Sequence, residues 1–128
     1  DGLVGVALQW QGSPLEAPPL LALHLPGARG LAWLAAAPRD QRRLQGYAGG
    51  VAFSEDGRRV AITSLRGGAA HLFDPETGAL ADRLHRPDIC GVAPAAGGFA
   101  FSDGGGGLSL PTAARSHAVA WDNHLVAI

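Results

Sequence analysis

The C-terminal end of the chain places three chemically capable side chains next to one another. Asp122, Asn123 and His124 supply a carboxylate, an amide and an imidazole, directly after Trp121. One interpretation is a functional site. The other is that Asp122 and Asn123 form the turn of a β-hairpin, because both residue types tolerate turn conformations.

A second set of candidates is spread over the last third of the chain. Asp88, Cys90 and His117 together could approach a soft or borderline metal, since Cys and His favour zinc or copper over magnesium. No two of them share a diagnostic spacing. Each also has a simpler interpretation: Cys90 as a small core residue, His117 as a hydrogen-bonded core histidine, and Asp88 as an acceptor of backbone N–H groups. The metal and any cofactor therefore stay unassigned.

Catalytic motifs do not settle the question. The sequence contains neither HExxH nor GxSxG, so neither a zincin helix nor a nucleophile elbow is predicted. The Gly-rich run at residues 102–107 lies in a strand-to-strand loop, where a phosphate cradle before a helix is not expected. No catalytic residue is assigned.

Composition narrows the class of protein. The chain has 128 residues, of which 47% are hydrophobic, which predicts one packed domain. Its formal net charge is −1 without a block of like charge, so nucleic acid is not an expected partner. Cys90 is the only cysteine, which rules out an internal disulfide or a CxxC pair. No apolar run approaches the ~18 residues of a membrane span.

Three segments of the sequence align with one another. Each begins with a small residue followed by Val-Ala, continues through turn residues and ends in a second apolar run, as a β-hairpin does. The anchor valines Val51, Val92 and Val119 are 41 and 27 residues apart. A period of roughly 40–45 residues with four strands per unit is typical of β-propellers.

We therefore predict an all-β fold, a partial β-propeller of about three four-stranded antiparallel blades, with an unclosed β-sandwich as the alternative. Residues 1–128 form one domain in this prediction. Its parts are an incomplete blade at 1–37, a linker at 38–48, blades at 49–86 and 88–114, and a closing hairpin at 116–128. The fourth strand of the last full blade is expected to be short or absent. The chain is expected to be a piece of a larger ring, whose remaining blades would be its partners.

Propeller topology sorts the loops into two ends. Turns are predicted at one end, where Asp122 and Asn123 align with an Asp-Gly pair: the turn residues are Asp56, Gly57, Asp74, Gly78, Asp122 and Asn123. The other end, near the axis, is where propellers bind ligands or partners. The residues predicted to form this binding face are Tyr47, Arg66, Asp88, Cys90 and His117.

Several segments resemble the bacterial family called domain of unknown function 1513. They include "RRLQGYAGGVAFSEDGRRVAITSLRGG", "FDPETG", "DICGVAP" and "AWDNHLVAI". The resemblance implies the C-terminal part of a seven-bladed propeller of the YVTN or WD-repeat kind. It also implies export to the periplasm and a role in iron acquisition beside imelysin-like, iron-handling periplasmic proteins. It carries over no catalytic residue.

The expected function is therefore non-enzymatic: an exported propeller that binds a ligand or another protein. The alternative is a propeller enzyme of the quinoprotein-like or lactonase-like class that uses a metal or cofactor at its axis.

Overall fold

The computed structural model describes residues 2–122 and 124–128, and its strands form three antiparallel sheets. The first sheet has three strands, β1 (Val4–Ala7), β2 (Leu21–His24) and β3 (Ala32–Leu34). The second has four, β4 (Gly50–Phe53), β5 (Val60–Ser64), β6 (Ala69–Phe73) and β7 (Leu80–His85). The third also has four, β8 (Ile89–Ala95), β9 (Gly98–Asp103), β10 (Gly107–Leu110) and β11 (Ala113–Ser116).

Within each sheet, every strand pairs with the next strand along the chain, so every sheet is an up-and-down meander. This confirms the predicted all-β class and matches a partial, propeller-like arrangement. Helix is almost absent: the described residues contain a 3₁₀ turn (Pro14–Glu16) and one short helix, α1 (Pro38–Arg43). Neither has the length and apolar character that a membrane crossing requires.

The sheets stack through their first strands, where small residues allow close approach. Strand β4 packs on β8, and β1 packs on β4. A Cβ atom on Gly50 would lie 2.9 Å from the Cys90 carbonyl oxygen, and one on Gly5 would lie 3.1 Å from the Phe53 ring. The Thr63 hydroxyl also donates a hydrogen bond to the Cys90 carbonyl across this junction. Glycine is therefore required at these positions by space.

The core forms two layers, one on each side of the second sheet. Side chains alternate along β5, so Val60 and Ile62 join the layer beneath the first sheet, while Ala61 joins the layer beneath the third. All five residues of β5 are buried. A strand covered on both faces is predominantly apolar instead of alternating, as Val60–Ser64 is over its first three positions.

The C-terminal part of the chain differs from the prediction in two respects. The third sheet has a fourth strand, β11, which is short, as expected, but extends past the predicted boundary at residue 114 and includes Arg115. The described residues after Ser116 form no strand, so the closing hairpin expected at 116–128 is absent from the part of the chain that the structure describes.

The physical reason lies in what this C-terminal segment contacts. A hairpin without a sheet to join is only marginally stable. Here the segment instead lies across the third sheet: the His117 N–H donates to the Gly106 carbonyl at 2.9 Å. A Cβ on Gly91 would lie 3.0 Å from the Cβ of Leu125, so Leu125 packs directly on β8.

Helix α1 and the residue after it fix one wall of the candidate site. Pro38 stands at its start, where the missing N–H costs nothing. The buried Gln41 side chain accepts a hydrogen bond from the Ala36 N–H at 3.0 Å and donates one to the Pro18 carbonyl at 2.7 Å. Leu44, fully buried, anchors the helix end in the core. The position of Arg43 is thereby determined by the core.

Candidate functional site: an arginine-lined groove

A groove of about 480 Å³ lies at the end of the second sheet where three segments meet. One wall is the end of α1 at Arg43, and the floor is the β5–β6 turn at residues 65–68. The other wall is the end of β7 at His85 and the β7–β8 link at residues 86–88. This is the end at which the sequence predicted the binding face, since it holds one loop between second and third strands and one link between sheets.

Hydrogen bonds hold the three segments together. The buried Ser64 hydroxyl donates to the Leu44 carbonyl at 2.8 Å and accepts from the Gly67 N–H at 3.0 Å. The Arg86 N–H donates to the Gly68 carbonyl at 2.8 Å. The turn is therefore bonded to both walls, so the chain's own hydrogen bonds hold the backbone of the groove.

Two glycines allow this close fit. A Cβ on Gly67 would overlap the carbonyl oxygen of Arg43, so no other residue fits without a backbone shift. Gly68 has a φ of +54°, and its Cβ would lie 3.2 Å from the Arg86 carbonyl oxygen. The "RGG" turn thus sets the distance between the two walls.

The lining of the groove is rich in arginine. Arg43, Arg66 and Arg86 face it, with Asp88 as the single carboxylate. Arg86 is already engaged, because its Nε lies 2.7 Å from Asp103 Oδ2 and its guanidinium contacts the Ser109 hydroxyl. Within the described residues, neither Arg43 nor Arg66 has a carboxylate partner.

Arg66 is held by an aromatic ring. Its guanidinium carbon lies 5.0 Å from the centroid of the half-buried Tyr47 ring, within cation–π distance. Asp88 stands at the opposite wall with a φ of 56°, and its exposed carboxylate makes no hydrogen bond or ion pair to the part of the chain that the structure describes. Of the five residues predicted for the binding face, Arg66 and Asp88 line this groove, and Tyr47 contacts Arg66.

Cys90 and His117 lie elsewhere. Cys90 is 4% exposed, and its sulfur lies 3.5 Å from the Ser102 carbonyl oxygen and 3.6 Å from that of Asp122. His117 is exposed and stands edge-on to Trp121, with ring centroids 5.5 Å apart. The structure does not bring Asp88, Cys90 and His117 together. Among the described residues, no group of three or more His, Cys, Asp or Glu side chains is arranged to hold a metal.

Sequence reasoning missed Arg43, His85 and Arg86 as lining residues. The signal for the last two was present, since Arg86 stands in the same link as Asp88, which was assigned to this end, and His85 ends the strand before that link. Arg43 carried no such signal, because its place depends on how α1 packs against the β5–β6 turn.

The opposite end of the second sheet holds the predicted turns. In the β4–β5 turn, Asp56 Oδ1 accepts from the Ser54 hydroxyl at 2.7 Å and from the Arg58 N–H at 3.0 Å, and Gly57 has a φ of +70°. The Ser54 bond, followed by the Arg58 N–H, lowers the pKa of Asp56 below its usual value. The carboxylate is thus used by its own turn.

The β6–β7 turn is built in the same way. Asp74 Oδ1 accepts from the N–H groups of Glu76 at 2.9 Å and Thr77 at 3.0 Å, and Gly78 closes the turn with a φ of +73°. The Thr77 N–H is the main reason that the pKa of Asp74 lies below its usual value, and Arg59, 3.5 Å away, adds to the effect.

The predicted turn at Asp122 and Asn123 has a different environment. Asn123 lies outside the described residues. Asp122 Oδ2 lies 3.5 Å from His124 Nδ1, and both side chains are exposed, at 80% and 81%. This contact lies in the irregular segment that follows Ser116, not in a β-turn between paired strands.

A second concavity lies on the first sheet. It measures about 540 Å³ and is bordered by Trp10, Trp33 and the Pro18-Pro19 pair. Its described lining contains no charged side chain. Of these two concavities, the arginine-lined groove is the one whose lining carries charge.

Together these observations define an all-β, propeller-like protein with a preformed, positively charged groove at one end of its middle sheet. The chain belongs to the family described as "Protein of unknown function (DUF1513)", whose model matches residues 1–128. The resemblance seen in the sequence is thereby confirmed. None of the curated proteins matches the chain.

Proposed function

We propose that this chain is part of an exported, non-enzymatic β-propeller that binds a ligand or protein partner in periplasmic iron acquisition. The arginine-lined groove would be the binding surface. The observation that carries the proposal is that the groove combines a rigid backbone, fixed by Ser64 and Gly67, with the guanidinium groups of Arg43 and Arg66, which have no carboxylate partner within the described residues.

Preformation supports binding in particular. Binding sites are usually concave, largely preformed and equipped with a few placed polar groups. A rigid groove loses little conformational entropy when it is occupied, which leaves more of the contact energy for affinity. The groove end supplies charge and shape, whereas the turn end uses its carboxylates to hold its own loops.

The periplasmic location and the link to iron come from the family resemblance. They predict a partner among iron-handling periplasmic proteins, the imelysin-like class in particular. Arg66 is the residue expected to matter most for such a partner, because it lines the groove and its guanidinium group is supported by the Tyr47 ring.

The test is a titration of the purified protein with a purified imelysin-like protein from the same organism, measured by biolayer interferometry. We expect saturable binding that Arg66→Ala weakens about tenfold, as loss of an interfacial charged anchor does. Arg29→Ala is the matched control, since Arg29 is exposed, carries the same charge and lies outside the groove. Absence of binding, or equal effects of the two substitutions, contradicts the proposal.

A further inference from the structure

We infer that the groove is a site for a small oxyanion, a carboxylate or phosphate group held between Arg43 and Arg66. This inference rests on the proposed binding role of the groove and names the chemistry that the groove would recognise.

The first argument is charge. The whole chain has a formal net charge of −1, yet three arginines face this one groove against a single carboxylate. Arg86 is neutralised by Asp103 at 2.7 Å, so it acts as a fixed wall. Arg43 and Arg66 have no such partner among the described residues. An anion would supply the missing counter-charge.

The second argument is the chemistry of the guanidinium group. Its planar fork of N–H donors matches the paired oxygens of a carboxylate or phosphate, and charge-assisted bonds of this kind are about twice as strong as neutral ones. The Arg66 guanidinium carbon lies 5.0 Å from the centroid of the Tyr47 ring. The close fit of Gly67 on the Arg43 carbonyl holds the backbone of the second arginine against the turn that carries the first. The fold therefore brings the backbones of the two arginines to one groove.

The third argument is size. At about 480 Å³ the groove falls in the range of roughly 300–1,000 Å³ typical of small-molecule sites. A nucleic acid would need several phosphate contacts along an extended basic surface. The chain has a net charge of −1 and no run of basic residues that would form such a surface. Asp88 on the rim opposes an anion, so removing its charge should strengthen binding.

The test is isothermal titration of the purified protein at low ionic strength, with inorganic phosphate and with succinate in separate runs. We expect saturable binding of at least one probe, and a loss of about tenfold or more in both Arg43→Gln and Arg66→Gln. Arg29→Gln should bind as the unmodified protein does. Arg66→Lys, which keeps the charge but loses the fork, should recover only part of the affinity.

The outcomes separate the possibilities. Binding of phosphate alone identifies a phosphate-bearing ligand, and binding of succinate alone identifies an organic acid. Binding of both identifies a general oxyanion site. If neither probe binds, or if the two Gln variants bind as well as the Arg29→Gln control while melting at the same temperature, the inference is wrong. The imelysin-like partner can still bind in that case, which would leave the proposed function standing without it.

Discussion

The two ends of the second sheet use charged residues in opposite ways. At the turn end, Asp56 and Asp74 are bonded to the backbone N–H groups of their own loops. At the groove end, the backbone is bonded through Ser64, while Arg43 and Arg66 are left unpaired in the described chain. Carboxylates that accept hydrogen bonds from the N–H groups of their own turn have a structural role. Guanidinium groups that a rigid backbone presents without a partner are available for recognition.

The largest expected loss of stability comes from replacing a glycine at the groove end, and a glycine at the turn end gives the comparison. Gly67→Ala at the groove end places a methyl group on the Arg43 carbonyl oxygen, so the turn and helix must move apart. We expect a loss of about 3 kcal/mol or more in the free energy of unfolding. Urea denaturation measures the loss, and phosphate titration should show reduced affinity as well.

Gly57→Ala is the matched substitution at the turn end. Gly57 has a φ of +70° with nothing within 4 Å of its missing Cβ, so only backbone strain is added. We expect a loss of about 1 kcal/mol and unchanged phosphate affinity. Equal losses of unfolding free energy in the Gly57 and Gly67 variants would mean that the close fit of Gly67 on Arg43 does not hold the groove together.

The second expected effect is a loss of stability at acid pH, and it arises from His71 in β6, between the turn end and the groove end of the second sheet. This side chain is fully buried, and neither ring nitrogen has a hydrogen-bond partner among the described residues. Burial lowers its pKa from 6.5 to about 4, with nearby Asp40 acting in the opposite direction and His85 and Arg83 in the same one. Because the folded state binds the proton less readily than the unfolded state does, stability is lost as the pH falls from about 6.5 to about 4.

The expected loss is about 3 kcal/mol, reached below pH 4, since each pKa unit corresponds to about 1.4 kcal/mol. His71→Leu removes the titrating group and should flatten this part of the curve of unfolding free energy against pH. His117→Gln, at an exposed histidine that is not among the groups acting on His71, is the control and should leave the curve unchanged. A variant without His71 that keeps the full acid sensitivity would show that other groups cause it.

The third effect tests whether the turn end is separate from the groove. Asp74→Ala removes the acceptor of the Glu76 and Thr77 N–H groups. We expect a lower melting temperature at pH 7 and a smaller difference from the unmodified protein at low pH. The reason is that the pKa of Asp74 is lower in the folded protein than in the unfolded chain. The ionised carboxylate therefore adds its full stabilisation at a pH above the unfolded pKa, and this stabilisation is lost as the pH falls through the folded pKa. Phosphate affinity should not change, and a change would link the two ends.

Local sequence pattern indicates strands well where turn residues lie close by. "VAITS" is bounded by an Asp-Gly turn and a Gly-Gly turn, and it forms β5 over Val60–Ser64. The repeat of Val51 and Val92 also corresponds to equivalent strands, β4 and β8, which pack on each other. In these segments the turn residues lie within a few positions of the strand, so the strand can be predicted from the neighbouring sequence alone.

The C-terminal segment shows where this reasoning fails. "HAVAWDNHLVAI" has the same alternation, yet its described residues form no strand. Alternation states which side chains share a face, but a strand also needs a neighbouring backbone to pair with, and that is a tertiary property. The groove has the same dependence: Arg43 and Arg66 are 23 positions apart, and only the fit of Gly67 on the helix end brings them to one site.

The smallest effect gives the finest test of the comparison. Asp88→Asn at the groove rim removes the carboxylate that opposes an anion, and asparagine tolerates the φ of 56° at this position. We expect phosphate affinity to rise by about twofold to fivefold at low salt, since exposed charges interact by only a fraction of 1 kcal/mol. The gain should fade at high ionic strength. Asp56→Asn makes the same change of charge at the turn end and should leave the affinity as it was. An equal gain in both variants would reflect net charge alone, whereas a gain confined to Asp88→Asn locates the anion at the groove.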